Sequence, residues 1–576
     1  MSLQTNSSFV QKLIFYIVGV VLLASSAFFL QPDIFIPFVS KYKQLESHHL
    51  LWIANLQRIA TLTLWGFLTL SLAAFFKSDE KKFDIAVWAF FFGLWSILTF
   101  YFSNQFTDDS YITYRYAKHF AEGHGMTWNV GDAPVEGYTS FLWTFLLAIV
   151  YKLGLSIELF AKAFGALFWL LMAIVVTKIS RLFVTQKRLA YISTFLILGN
   201  FQVAFWALSG METSFAMLLL SLALYQTLKN EQTSHKSARA GIVASLLWGL
   251  AAMTRPEAML YFAIVAAWKF FSQEKPFALE NIQKLLPFAL PAGLMILGHF
   301  AARYMYYGDI LPNTYYAKRW ILKGIPYIYD FLKDYIWAFA VIFLLFLRKT
   351  SREEKLILFL IVSAAVPLIN TSPIMGYAHR FFLPIFPFVV VLFLNGVHRF
   401  LKNQPSESEY SWFGKSLVFG LCFFVYIYPF KDLKEQTDQT QQAQLSGHFP
   451  IIEDFKDKVT GKTVMAMIDC GTIPFYLDVK VIDLWGLNDR KIAKEFRGAF
   501  STALDEEKLN DYVFQEDPDY FILCSNSRTQ YIDAHRGGNE NPLVTDPRFK
   551  KYQPLKVYWY TGYYYYWVFG KASESQ

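Results

Sequence analysis

The sequence predicts an α-helical polytopic membrane protein of about thirteen transmembrane helices, followed by a C-terminal extracytoplasmic α/β domain. Three observations predict it. Of the 576 residues 55% are apolar and only 17% are charged, where a soluble chain carries about a quarter charged. Apolar runs long enough to cross a bilayer, roughly 17–25 residues each, recur as far as Phe430. Beyond Phe430 the texture turns polar and mixed, with the short β-type runs VMAMI, VKVIDL, DYFILC and KVYWYTGYYYYWVF. Only 3 Cys are present, which excludes a disulfide scaffold, and the composition excludes disorder and collagen-like fibre. A net charge of +8 in such apolar surroundings is no nucleic-acid footprint, so no nucleic-acid partner is expected.

In chain order the spans are expected at 11–31, 58–76, 84–103, 158–181, 189–207, 212–228, 240–254, 258–272, 285–305, 330–347, 355–370, 380–399 and 415–430. The first follows Lys12 and is long enough to span. No small-residue cleavage site follows it, so it reads as an uncleaved helix rather than a signal peptide. Residues 138–153 are apolar enough to be a fourteenth span, and the distribution of basic residues arbitrates. If that run lies on the outer interface, the later short inner loops are the basic ones. They carry Lys178, Arg181, Lys187 and Arg188; Lys229, Lys236 and Arg239; Lys269, Lys275 and Lys284; Arg348, Lys349, Arg352 and Lys355; Arg399, Lys402 and Lys415. This places the N-terminus in the cytoplasm and the C-terminal domain outside it, across a bacterial cytoplasmic membrane. The divisions expected are two N-terminal helices in 1–83, a helical module in 84–430 with a long first outer loop at 104–157, and the α/β domain in 431–576.

Polar motifs gather at the outer helix ends. The first outer loop opens on adjacent Asp108 and Asp109. Two carboxylates there serve as a general base for a hydroxyl or as holders of a divalent cation against a phosphate. The same residues, Thr107-Asp108-Asp109-Ser110, also make a good N-cap for YITYRYAKHF, worth about 1 kcal/mol. Farther on come SGMET (209–213) with Glu212, TRPE (254–257) with Arg255 and Glu257, YYGDILPNTYYAKRW (306–320), and GYAHRFFLP (376–384). Arg303, Lys318, Arg319, His379 and Arg380 then share the side that the positive-inside rule disfavours. A cationic group facing a carboxylate pair at a bilayer surface suits an anionic, lipid-linked substrate.

These motifs carry a resemblance. DDSYITYRYAKHFAEGHGMTWNVGDAPVEGYTSFLW resembles the first outer loop of GT-C-fold glycosyltransferases, and is most similar to the branch of mycobacterial terminal arabinofuranosyltransferases. SGMET, TRPE, YYGDILPNTYYAK and RFFLP follow in that branch's order. IDCGTIPFYLDVKVIDLWGLNDRKIAK is similar to its soluble-domain motif, with Cys470 where a small residue is usual. The resemblance implies an integral membrane enzyme moving a sugar, D-arabinofuranose first, from a polyprenyl-phosphate donor to a glycan, lipid or protein acceptor. It implies that Asp108 and Asp109 are catalytic, one of them meeting a divalent cation if any is used. Arg255, Lys318 and Arg380, with Arg319 and His379 beside them, are implied as donor-phosphate ligands. Tyr111, Arg115, Glu136, Tyr138, Glu212 and Glu257 are implied to line the substrate cavity. The chain departs from the branch in the two helices before the one that leads to the Asp pair.

Mannose or amino-sugar transfer is open to the same scaffold. A transporter of lipid-linked sugars is the other class. Against it, the polar residues concentrate at one face and no P-loop is present. In the C-terminal domain Asp469, Asp483 and Asp489 flank turn-like segments, and YWYTGYYYYW (558–567) suits either sugar stacking or plain hairpin packing. Cys470 and Cys524 are candidates for pairing, whereas Cys422 reads as helix filler.

Overall fold

The computed structural model describes residues 80–103, 105, 107–233, 237–319, 322–373, 375–402, 439, 441–442, 444–496, 506–536 and 541–572. The expected spans 11–31, 58–76 and 415–430, and Cys422, lie outside the described residues. The chain forms two units, residues 1–103 and 104–576. In the first, helix α1 (Glu80–Tyr101) is apolar over Phe83–Tyr101, long enough to cross a membrane.

The second unit begins with α2 (Asp108–Glu122), which stops at Gly123. There φ is +91°, and the Gly123 N–H closes back on the Phe120 carbonyl. Helix α3 (Phe141–Lys152) has only 12 residues, a rise of about 18 Å that falls short of a bilayer core. Helix α4 (Ile157–Phe183) is a full span, started by Ser156, whose side chain accepts from the Leu159 N–H.

The run 189–207, expected as one helix, is two: α5 (Lys187–Leu198) and α6 (Phe201–Ala207), bent by 55°. The cause is local, because the Asn200 side chain accepts from the Val203 N–H at 3.0 Å and caps a fresh start. Helices α7 (Thr213–Gln232), α8 (Ala238–Thr254) and α9 (Ala258–Phe271) follow closely on the expected runs. Helix α10 (Leu279–Tyr307) starts earlier than expected and carries Pro287 and Pro291 inside it. After the short α11 (Asn313–Lys318), the run 330–347 also proves to be two helices, α12 (Ile325–Asp334) and α13 (Ile336–Phe346). Helix α14 (Arg352–Ser363) opens on a capping box of Ser351 and Glu354, and α15 (Phe386–Lys402) ends the module among the described residues.

The C-terminal domain is a five-stranded mixed sheet in the order β2-β1-β3-β5-β4. Strand β1 (Val464–Met467) runs parallel to both β2 (Lys480–Asp483) and β3 (Tyr520–Ser525). The hairpin β4 (Tyr552–Thr561) and β5 (Tyr564–Lys571) is added antiparallel on β3. Helices α16 (Phe449–Phe455), α17 (Thr472–Tyr476), α18 (Glu506–Gln515) and α19 (Pro542–Thr545) connect and flank it. Met465, Ala466, Phe521, Leu523 and Val568 are buried completely at its centre. Tyr558, Tyr566 and Trp567 of the aromatic hairpin are buried in it too, whereas Trp559 and Tyr563 are exposed. Cys470 and Cys524 are free thiols. Cys470 faces the Asn488 amide and Cys524 faces Asp469, so they point to different partners.

This domain is stitched to α2 and α11. Arg115 on α2 donates to the carbonyls of Trp128 (2.9 Å), Val479 (2.7 Å) and Pro474, while its guanidinium stacks 4.8 Å from the Trp128 ring. Asn129 pairs with both the N–H and the carbonyl of Val481, at 2.9 and 3.0 Å, completing the free edge of β2. Asn313, which starts α11, donates to the carbonyls of Gly486, Leu487 and Asp489 at 2.8, 3.0 and 3.2 Å.

Candidate active site

Chain segments remote in sequence meet at one cavity of about 280 Å³. Its charged lining is Asp109, Glu212, Arg255, Glu257, Lys318, Arg319 and Arg380; Tyr138 lines it as well, and Leu487 of the α/β domain adds an apolar wall. Most of the charged groups stand at helix ends. Asp109 is in the first turn of α2, Glu212 immediately precedes α7, and Lys318 closes α11. Arg255 and Glu257 flank Pro256 between α8 and α9.

The charges form a chain of alternating sign. The Arg255 Nε donates to Glu257 at 2.6 Å, and its Nη1 donates to Glu212 at 3.0 Å. Arg380 lies 3.7 Å from Glu212 on one side and 3.7 Å from Asp109 on the other. Those separations are beyond hydrogen-bond reach. The Arg380 Nε is buried with no acceptor, and the guanidinium rests 4.9 Å from the Trp206 ring. Lys318 donates no side-chain hydrogen bond and makes no ion pair among the described residues. Burial pushes its ammonium below the usual lysine range, the Asp109 carboxylate opposes this, and Arg380 and Arg255 add to it. A buried arginine and a half-buried lysine with unused donors are costly unless an anion joins them.

The backbone holding Arg380 is strained to do so. Met375, Ala378 and His379 all have positive φ, between +51° and +58°. Each such non-glycine residue costs on the order of 1–3 kcal/mol. The Trp206 indole donates to the Tyr377 carbonyl at 3.1 Å and holds this turn against α6.

The acidic pair divides. Asp109 faces the cavity, with its side chain 20% exposed. Asp108 turns the other way and accepts from the Gly471 N–H at 2.9 Å, and from both the N–H and the hydroxyl of Thr472 at 2.7 Å. The expected N-cap is therefore displaced: Thr107 makes no side-chain cap, and the Asp108 carboxylate caps α17 in the other domain. Both Asp108 oxygens thus accept from N–H or O–H donors of the α/β domain. Among the described residues no three His, Cys, Asp or Glu side chains gather as a metal site.

Four further expected residues stand outside the cavity lining. Tyr111 is buried among Tyr114, Phe475 and Tyr476. Arg115 is spent on the three carbonyls described above. Glu136 is locked to Arg303, Nε to Oε2 at 2.6 Å and Nη2 to Oε1 at 3.1 Å. His379 bonds Asp334 at 2.8 Å instead of facing the donor side. Residues that sequence reasoning missed include Thr113, Tyr261, Tyr315 and Leu487. Thr113, Tyr315 and Leu487 fall inside motifs quoted above, Tyr261 does not, and none of them bears a charge that would single it out.

A helical membrane module with helix ends converging beneath an α/β domain is the GT-C fold. Two structures of ArnT from Cupriavidus metallidurans share it, one bound to undecaprenyl phosphate and one in the apo state. Their TM-scores are 0.53 and 0.52, each at 12% identity over 86% of this chain and 99% of that one. An oligosaccharyltransferase of Archaeoglobus fulgidus in the apo form is matched at TM-score 0.48 and 13% identity, over 75% of this chain and 69% of that one. Residues 435–569 match a family model described as Domain of unknown function (DUF8728). No curated protein is matched by the sequence.

Proposed function

We propose that the chain is a membrane glycosyltransferase that moves a sugar from a polyprenyl-phosphate donor to an acceptor hydroxyl at the outer face of a bacterial cytoplasmic membrane. The observation that carries this is the pairing, across one small cavity, of a carboxylate with a buried arginine and a half-buried lysine that make no side-chain hydrogen bond among the described residues. In the reaction Asp109 takes the proton of the acceptor hydroxyl as its oxygen bonds the sugar C1. The bond from C1 to the phosphate oxygen breaks, and the electron pair leaves with the polyprenyl phosphate. Arg380 and Lys318 bind the donor phosphate and hold it equally before and after that bond breaks. Arg255 holds Glu212 and Glu257 in place, with Arg319 at the rim. The fold shared with ArnT, bound in one structure to undecaprenyl phosphate, supports a lipid-phosphate donor. The motif order supports D-arabinofuranose as the first sugar to test, ahead of mannose or an amino sugar. The acceptor is a glycan, a lipid-linked glycan or a protein.

The test is donor consumption by purified protein, given a set of synthetic polyprenyl-phosphate sugars and an acceptor extract. One donor should be consumed, and Asp109→Asn should lower the rate about 1,000-fold, as loss of a general base does, while the protein still folds. Consumption of a hexose donor would keep the mechanism and discard the pentose. If no donor is consumed, the reading as a transferase fails.

A further inference from the structure

The α/β domain is joined to the cavity at two points, and each point adjoins a different reacting group. The first is Asp108, adjacent in sequence to Asp109. Its carboxylate is gripped by Gly471 and Thr472 at the head of α17. The fit allows no slack. A Cβ on Gly471 would lie 2.0 Å from the Asp108 carbonyl oxygen, so only glycine lets the two backbones approach this closely. The same helix is also fixed by the membrane module. The Thr107 N–H donates to the Ser209 carbonyl at 3.3 Å, and the Tyr114 hydroxyl donates to the Gly210 carbonyl at 3.2 Å. The second point is Asn313, which binds three carbonyls of the turn after β2 and starts the helix whose last residue is Lys318. That turn also supplies Leu487 to the cavity wall.

From this geometry we infer that the α/β domain is a two-point clamp on the active site, with Asp108 the positioning residue for Asp109 and Asn313 the positioning residue for Lys318. The inference rests on the transfer reaction proposed above. Successive helical residues point about 100° apart. A carboxylate held by the domain therefore fixes its neighbour's direction into the cavity. A general base must sit within hydrogen-bond reach of its proton, and a misplacement of about 1 Å costs on the order of 100-fold. The two arms of the clamp act on different parts of the reaction. Asp108 governs the proton-accepting group, which matters in the chemical step, whereas Asn313 governs a phosphate ligand, which matters in donor binding.

The test uses the full chain and steady-state kinetics with the donor that the wild type consumes. Asp108→Ala and Gly471→Ala should each lower kcat about 100-fold with donor KM unchanged. Asn313→Ala should raise donor KM about 10-fold with kcat nearly unchanged. The acidic limb of the pH–rate profile should survive in Asp108→Ala and vanish in Asp109→Asn. Asp108→Asn, which still offers one carbonyl oxygen to Thr472, should recover part of the loss. Thr472→Val, which keeps the backbone bonds and removes one hydroxyl donor, is the milder variant should Asp108→Ala fail to fold, and it should lower kcat alone. Loss of the acidic limb in Asp108→Ala would make Asp108 itself the base and overturn the clamp. So would an active wild type whose Asp108, Gly471 and Asn313 variants all keep its kcat and KM. A wild type that consumes no donor overturns the reaction proposal first, and the clamp with it.

Discussion

The cavity and the interior of the α/β domain both bury charged groups, and they treat them in opposite ways. Among the described residues of the domain, buried Asp483 and half-buried Asp469 and Asp489 are each met. Asp483 accepts from the N–H of Trp485 and Asn488 and from the Asn488 amide, all at 2.8–2.9 Å. Asp489 accepts from the Ile492 N–H and the Tyr512 hydroxyl, at 2.9 and 2.8 Å. Asp469 accepts from Tyr564 and Tyr566 at 3.2 and 2.9 Å. In the cavity Arg380 keeps an orphaned Nε, and its carboxylate neighbours stand 3.7 Å away. A satisfied buried charge specifies structure, whereas an unsatisfied one is held ready for a ligand. The two regions should therefore respond differently to mutation: activity without stability in the cavity, stability first in the domain.

The largest effect that would break this comparison is at Asp483. Asp483→Ala leaves buried N–H groups with no acceptor, a loss of about 2–4 kcal/mol, read as a lowered melting midpoint of the domain. Burial pushes the Asp483 carboxyl up to about 6, against the pull of its N–H donors. The native domain then holds this proton more tightly than the unfolded chain. Its stabilising share is present below about pH 4 and is lost as pH rises through about 6. Between those limits the wild type should lose more stability with rising pH than Asp483→Asn, which has no proton to lose. Equal slopes in the two would mean that Asp483 does not titrate there.

Next is Arg380. Arg380→Gln removes a buried cation that makes no side-chain hydrogen bond among the described residues, so the melting midpoint should barely move. Donor KM should rise about 10–100-fold, the value of a lost charge-assisted bond to phosphate. A large fall in stability with donor KM unchanged would show that the guanidinium is structural, and the contrast between the two regions would collapse.

How far the sequence foretold this depends on what kind of residue is asked about. Asp109, Glu212, Arg255, Glu257, Lys318, Arg319 and Arg380 were legible because each is a charge at the end of an apolar run, where burial without purpose is expensive. The bilayer thus makes helix ends readable, and five motifs fell at one cavity. Direction was not legible. Asp108 and Asp109 are equivalent in composition and propensity, and only the arrival of Gly471 and Thr472, more than 360 residues on, separates them. Arg115 and Glu136 misled for the same reason: their partners, Val479 and Arg303, lie 364 and 167 residues away. The split of 189–207 was readable in principle from Gly199 and Asn200, a helix stop followed by a helix start, but the apolar run hides it. In the α/β domain the strands VMAMI and DYFILC were plain from their β-branched and aromatic content, whereas their order in the sheet needs contacts that no local pattern carries.

The smallest effect, and the finest probe of the contrast, is the charge of Lys318. It lies among Asp109, Arg380, Arg255 and Glu212, and burial with the two arginines lowers its affinity for a proton while the carboxylates restore part of it. Only the ammonium form attracts a phosphate. As pH rises, Lys318 should lose its proton earlier than an ordinary lysine, and donor KM should climb on the alkaline side while kcat holds. Lys318→Arg keeps a charge that does not titrate in the working range, so that climb should disappear even if the fit of the longer fork raises KM at every pH. Lys318→Met should show a high, flat KM. An alkaline climb that persists in the arginine variant would assign it to another group, and Lys318 would then join the satisfied structural charges rather than the donor site.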